Sequence, residues 1–243
     1  MVTYNDIAGM IDYSLLKPDM TDDVIKEGCR IAAQYRVCSL CVRPSDVKLA
    51  AELLKDSDVK VITVIGFPHG TTTTRTKVVE AEEAIANGAV EIDMVLNVGK
   101  LKSGEVGFVE SDIRAVTEAA HAAGALVKVI FETCFLTPEE IEKACEICNC
   151  VSADFVKTST GCGTRGVSDT DLKIMKKHCL PEVAIKASGG IFTLERAIEV
   201  RKLGASRFGC SSPVGILERL KEKTDKGTLQ KKTGNCNSEA MKI

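Results

Sequence analysis

The chain has 243 residues, of which 44% are hydrophobic and 27% charged, with a formal net charge of −2. That is the make-up of an ordinary soluble globular protein with room for one large domain or two small ones. It argues against a nucleic-acid surface or a polybasic membrane contact, and no stretch approaches the roughly 20 apolar residues of a membrane span. The opening MVTYNDIAGMIDYSLL lacks a basic stretch followed by a long apolar run, so no signal peptide is expected and the protein is expected to be cytoplasmic.

In chain order, short β-like runs alternate with longer amphipathic stretches. The runs are MIDYSLL (10–16), SLCVRP (39–44), VKVITVIGF (59–67) and VEIDMVL (90–96), then LVKVIFE (126–132), DFVKTST (154–160), VAIKASGG (183–190) and SRFGCSS (206–212). Between them lie helical patterns such as TDDVIKEGCRIAAQY, TRTKVVEAEEAIANG, VGFVESDIRAVTEAAHAAG, TPEEIEKACEIC, TDLKIMKKHC and TLERAIEVRKLG. Several of these begin with acids or a Thr cap and end near Gly. Eight strand–helix alternations predict a single (β/α)8 TIM barrel over 1–220, with a doubly wound sheet as the other candidate fold. From 221 to 243 the chain is polar and predicts a flexible tail.

Eleven cysteines are more than usual for this length. Without a secretory signal, reduced thiols are the default. Cys38 and Cys41 lie three apart in a predicted strand and so face opposite ways, while Cys145, Cys148 and Cys150 lack a convincing second ligand pair. Small packed hydrophobes is the reading for most of them, and no metal site is expected.

Period-two alternation sorts the strand residues onto two faces. Ile92, Met94 and Leu96 oppose Glu91, Asp93 and Val95; Val127, Val129 and Phe131 oppose Lys128, Ile130 and Glu132. Val156 and Thr158 oppose Phe155, Lys157 and Ser159; Ile185 and Ala187 oppose Ala184, Lys186 and Ser188. With the apolar faces toward the helices, Asp93, Lys128, Lys157 and Lys186 converge inside the barrel. One inward lysine would read as structural pairing. Three lysines against one aspartate leave surplus positive charge, which lowers a lysine pKa.

A lysine near its ordinary pKa is neutral only about once in 2,500 at pH 7, and only the neutral amine attacks a carbonyl. A second ammonium about 6 Å away, at an effective dielectric near 20, contributes roughly 2.8 kcal/mol, or about two pKa units. The interior is therefore expected to carry a Schiff-base lysine. Gly161 follows the sixth strand, Gly189 and Gly190 the seventh, and Ser211 and Ser212 the eighth. Glycine backbone N–H groups, serine hydroxyls and helix starts at these loops predict a phosphate site.

KTSTG (157–161), GFPHG (66–70), EIDMVLN (91–97), LVKVIFET (126–133), KASGG (186–190) and RFGCSS (207–212), with MIDYSLL near the start, resemble the deoxyribose-phosphate aldolase family, in order across roughly 7–220. The resemblance implies a class I aldolase with neither metal nor cofactor. It would reversibly cleave 2-deoxy-D-ribose 5-phosphate to D-glyceraldehyde 3-phosphate and acetaldehyde, in deoxynucleoside breakdown. It implies that Lys157 forms the Schiff base, that Lys186 lowers its pKa and joins a proton relay, and that Asp93 shuttles protons. Asp12, Cys41 and Lys128 match substrate-site positions, and Gly161, Gly189, Gly190, Ser211 and Ser212 match the phosphate site. Two features depart from the family pattern. Cys162 stands where Phe or Lys is usual after KTSTG, and the closing SEAMKI has no tyrosine, the chain's tyrosines being Tyr4, Tyr13 and Tyr35.

Other readings use the same parts. Pyridoxal phosphate also needs a lysine and a phosphate site. A class I aldolase acting on a ketose phosphate and a non-catalytic sugar-phosphate-binding barrel remain open as well. A metal-dependent aldolase would need clustered ligands, whereas His69, His121 and His178 are scattered. The partners expected are small phosphorylated aldose and aldehyde substrates, and a homo-oligomer, dimer or tetramer, is open.

Overall fold

Parallel strands buried on both faces need helices outside and a closed or doubly covered sheet. In the computed structural model, which describes residues 2–225, the sheet closes. The strands are β1 (Ile11–Leu15), β2 (Ser39–Val42), β3 (Lys60–Ile65), β4 (Glu91–Val95), β5 (Leu126–Ile130), β6 (Phe155–Lys157), β7 (Ala184–Ala187) and β8 (Arg207–Cys210). They run in sequential order, and β8 pairs back onto β1. That last ladder sets aside the doubly wound alternative.

The helices are α1 (Tyr4–Ala8), α2 (Asp22–Tyr35), α3 (Val47–Leu54), α4 (Thr74–Ala86) and α5 (Val98–Lys102), followed by α6 (Val106–Ala122), α7 (Pro138–Cys150), α8 (Asp169–His178), α9 (Leu194–Lys202) and α10 (Pro213–Asp225). Threonine caps form hydrogen bonds at three helix starts, whereas Thr21 caps α2 without a side-chain bond and α8 is capped by Ser168, ahead of the Thr170 at which the sequence pattern begins. The hydroxyls of Thr73, Thr137 and Thr193 accept from the backbone N–H of Thr76, Glu140 and Arg196. Each such cap stabilises its helix by about 1 kcal/mol. Gly88, Gly124 and Gly204 follow α4, α6 and α9 with φ of 107°, 76° and 107°, the left-handed exit that glycine adopts without a Cβ clash. The last helix, α10, runs through Asp225, beyond the boundary expected at 220; the rest of the tail lies outside the described residues.

The helix-facing sides of the strands make the main core. Ile92, Met94, Val127, Val129, Val156 and Ala187 are fully buried there, as the alternation predicts. One buried ion pair sits among these helices. Lys77 of α4 donates to Val95 O at 3.0 Å and pairs with Asp112 of α6 at 2.5 Å, and Asp112 also accepts from the hydroxyl of Thr74. These bonds tie two helices to the C-terminal end of β4, the strand that carries Asp93.

Register decides what meets inside. Residues in register on neighbouring parallel strands point the same way. Asp93 is in register with Lys128, Lys157 with Lys186, Lys186 with Arg207, and Asp12 with both Ser39 and Gly209.

Candidate active site

The hydroxyls after Lys157 clamp that residue's strand exit. Thr158 Oγ1 accepts from Ser188 N at 3.0 Å, and Thr158 N donates to Lys186 O, joining the ends of β6 and β7. Thr160 donates its backbone N–H (3.2 Å) and its hydroxyl to the carboxylate of Glu132, which is buried just past β5. The KTST segment is thereby held from both sides, and Gly161 turns away at φ 92°.

Beneath this clamp, Asp93 Oδ2 accepts from Lys157 Nζ and Lys186 Nζ, each at 2.7 Å, and Asp93 Oδ1 accepts from Lys128 at 3.0 Å. Lys186 also pairs with Asp12 Oδ2 at 2.5 Å. Asp12 Oδ1 accepts from Ser39 Oγ and from Arg207 Nε, both at 2.7 Å. Arg207 reaches on to Glu91 at 3.1 Å, and Glu91 pairs with Lys128 and, toward the barrel floor, with Lys60 at 3.2 Å. Lys128 and Arg207 stand over the Phe155 ring, 5.6 and 5.9 Å from its centroid.

Four interior cations (Lys128, Lys157, Lys186, Arg207) thus face three carboxylates (Asp12, Glu91, Asp93). The surplus is one charge, not the two expected from three lysines against one aspartate. Glu91 was legible as an interior residue, since it shares Asp93's face of the strand. Arg207 and Ser39 carried no such signal, because their strands are short and mixed.

The charges are distributed unequally. Burial is the largest influence on Lys157 and lowers its pKa; Asp93 opposes this and Lys186 adds to the lowering. Burial, more than the neighbouring ammonium, is therefore what depresses it. Burial also disfavours the charge on Lys186, but Asp12 and Asp93 overcome it and raise that pKa. Asp93 is held well below the carboxylate range against its burial by Lys128, Lys157 and Lys186. Asp12 is held low by Lys186, Lys128 and Arg207, again against burial. Of the two lysines on Asp93 Oδ2, Lys157 gives up its proton first.

Lys157 also has access. A cavity of about 340 Å³ opens at the C-terminal end of the barrel, with Lys157 on its wall beside Gly161, Gly189, Gly190 and Ser211. Gly190 and Gly161, at φ of 82° and 92°, face open space where a Cβ would stand, so a ligand can approach their backbone. Gly189 is needed for a different reason. A Cβ there would lie 2.7 Å from Gly166 Cα, so the loop after β6 packs directly on it.

The other expected residues are placed differently. Asp12 and Lys128 are fully buried in the ion network under Lys157 and form no part of the cavity wall. Cys41 is fully buried beside Ile62 and Val64, and burial pushes its thiol up to about 11. Ser212 is exposed, donates its N–H toward Cys210 Sγ at 3.3 Å, and lies just outside the wall that Ser211 joins. Cys162, the residue directly after Gly161, does line the cavity. The missing C-terminal tyrosine concerns residues outside those described.

Residues 9–213 match the family model described as DeoC/LacD family aldolase. The deoxyribose-phosphate aldolase of Clostridium perfringens is 49% identical over 212 residues, covering 87% of this chain and 94% of that protein. That of Thermococcus gammatolerans is 51% identical over 215 residues, 88% and 96% of the two chains. The tetrameric deoxyribose phosphate aldolase of Aeropyrum pernix superposes with a TM-score of 0.85 at 30% identity, covering 91% of this chain and 93% of that one.

Proposed function

The chain belongs to the DeoC/LacD aldolase family, and from that membership and the geometry of its interior we propose that it cleaves 2-deoxy-D-ribose 5-phosphate reversibly through a Schiff base on Lys157. One observation carries the assignment. Of the three interior lysines, Lys157 alone reaches the mouth cavity, and burial lowers its pKa.

The neutral amine of Lys157 adds to the C1 aldehyde of the open-chain sugar, and loss of water leaves an iminium. Removal of the C3 hydroxyl proton then lets the C2–C3 bond break. Its electron pair flows into the iminium, giving an enamine and releasing D-glyceraldehyde 3-phosphate. Protonation at C2 and hydrolysis release acetaldehyde and restore the amine. Lys186, kept protonated by Asp12 and Asp93, and Asp93, bonded to both lysines, form the path by which protons reach and leave the Lys157 nitrogen. Lys128 and Asp12 act from below by holding Asp93 and Lys186 in place. The loops at Gly161, Gly189, Gly190 and Ser211 receive the phosphate end. By likeness to the tetrameric relative, a homo-oligomer is proposed too.

Borohydride reduction in the presence of acetaldehyde, followed by peptide mass mapping, tests the assignment. An ethyl group on Lys157 is expected. The same label on Lys186 or Lys128 would reverse the roles, and failure to trap any lysine while deoxyribose 5-phosphate turns over would end the Schiff-base reading.

A further inference from the structure

A sugar phosphate brings two negative charges to a cavity whose glycine N–H groups and serine hydroxyl are neutral donors. Among the described residues on its wall there are two cations and no acid: Lys157, whose amine is committed to the carbonyl, and Lys17. Cys162, on the loop after Gly161, brings a thiol and no charge.

Lys17 comes from the loop between β1 and α2. Because β1 pairs with β8, with Asp12 opposite Gly209 and Tyr13 opposite Cys210, that loop emerges beside the one carrying Ser211. The loop is also pinned. Pro18 restricts the backbone of the residue before it to extended conformations. The guanidinium of Arg43 donates to Lys17 O at 3.3 Å and to Pro18 O at 3.1 Å, and Arg43 is itself held by Asp46 at 2.6 Å. Lys17 is exposed and makes no ion pair among the described residues, whereas Arg43 beside it and Lys157 across the cavity are both paired. A fixed backbone with an uncommitted charge at its tip is a preorganised anion contact.

We propose that Lys17 is the cation that binds the substrate's phosphate and sets the preference for a phosphorylated sugar, with Arg43 positioning its loop. The inference rests on the aldolase reading above. Its chemistry is a charge-assisted hydrogen bond from Nζ to a phosphate oxygen, formed opposite the N–H groups of Gly189 and Gly190.

The test compares kcat/KM for 2-deoxyribose 5-phosphate and for 2-deoxyribose in the wild type, Lys17→Met and Lys17→Arg, with inorganic phosphate as a competitive inhibitor. In Lys17→Met the preference for the phosphorylated sugar should fall roughly 10- to 100-fold, through KM, and the inhibition constant for phosphate should rise by a similar factor. Lys17→Arg keeps the charge and should retain most of the preference. An unchanged ratio in Lys17→Met, an equal loss on both sugars, or an arginine variant as impaired as the methionine one would overturn the proposal. A wild type that turns over neither sugar, or shows no preference between them, would instead defeat the functional reading on which it rests. Lys17 is on the surface, so neither substitution threatens folding.

Discussion

Lys157 and Lys186 lie side by side across the β6–β7 ladder and share a single carboxylate oxygen, Asp93 Oδ2, at 2.7 Å from each nitrogen. Their environments differ in one partner. Lys186 has Asp12 as well, while Lys157 has the cavity. That asymmetry makes one a lasting cation and the other a nucleophile.

Lys186→Leu should reduce turnover at pH 7 by about a hundredfold, from the charge lost beside Lys157, with a further loss of up to about 10²–10⁴ from the broken proton path. Both consequences of the change raise the Lys157 pKa, since a cation leaves and Asp93 loses a competing partner. Residual activity should therefore climb as pH rises toward about 9 to 10. A flat profile with normal borohydride trapping would assign Lys186 to proton transfer alone.

Asp93→Asn should abolish proton transfer and also weaken the fold, because Lys128, Lys157 and Lys186 would lose a shared counter-charge at zero exposure. Uncompensated buried charge costs about 3–5 kcal/mol. Urea denaturation would show it as a lower midpoint at unchanged slope. A variant as stable as wild type would mean the lysines simply lose their protons.

Arg207→Met should destabilise the protein, by up to about 3–5 kcal/mol, because Asp12 would keep only Lys186 and Ser39 as partners and Glu91 only Lys128 and Lys60. Adding Glu91→Gln should recover part of that loss. If the double variant is no more stable than the single, the two residues are not coupled.

The folded-state pKa values of Asp12, Glu91 and Asp93 are all depressed. Their contribution to stability is therefore complete above the unfolded values, about 3.9 for Asp and 4.3 for Glu, and is lost as pH falls through the folded ones. Denaturation midpoints should change little through mildly acidic conditions and drop below about pH 4. A marked loss well above that range would point to some other group.

Cys41 should resist alkylation near neutral pH, being fully buried with its thiol pushed up to about 11, whereas exposed Cys150 and Cys162 should react. Mass mapping after brief iodoacetamide treatment reads this directly, and early labelling of Cys41 would show that the interior opens.

The sequence by itself determined the elements and their faces. The strand periodicity put Asp93, Lys128, Lys157 and Lys186 on the side opposite the apolar residues, and the Thr and Gly punctuation set the helix ends, because both are local consequences of backbone geometry. Glu91 shared Asp93's face and could have been read the same way. Only the tertiary structure decided which charges pair. Closure of β8 onto β1 brings Arg207 and Ser39 to Asp12, and Asp12 to Lys186, across separations that no local pattern encodes. It also decided that Lys128 is buried while Lys157 meets the cavity, and that Lys17 arrives beside Ser211. The physical reason is that burial and Coulomb interactions depend on distances in space. Depth along the barrel axis, which separates a nucleophile from a structural cation, exists only once the sheet has closed.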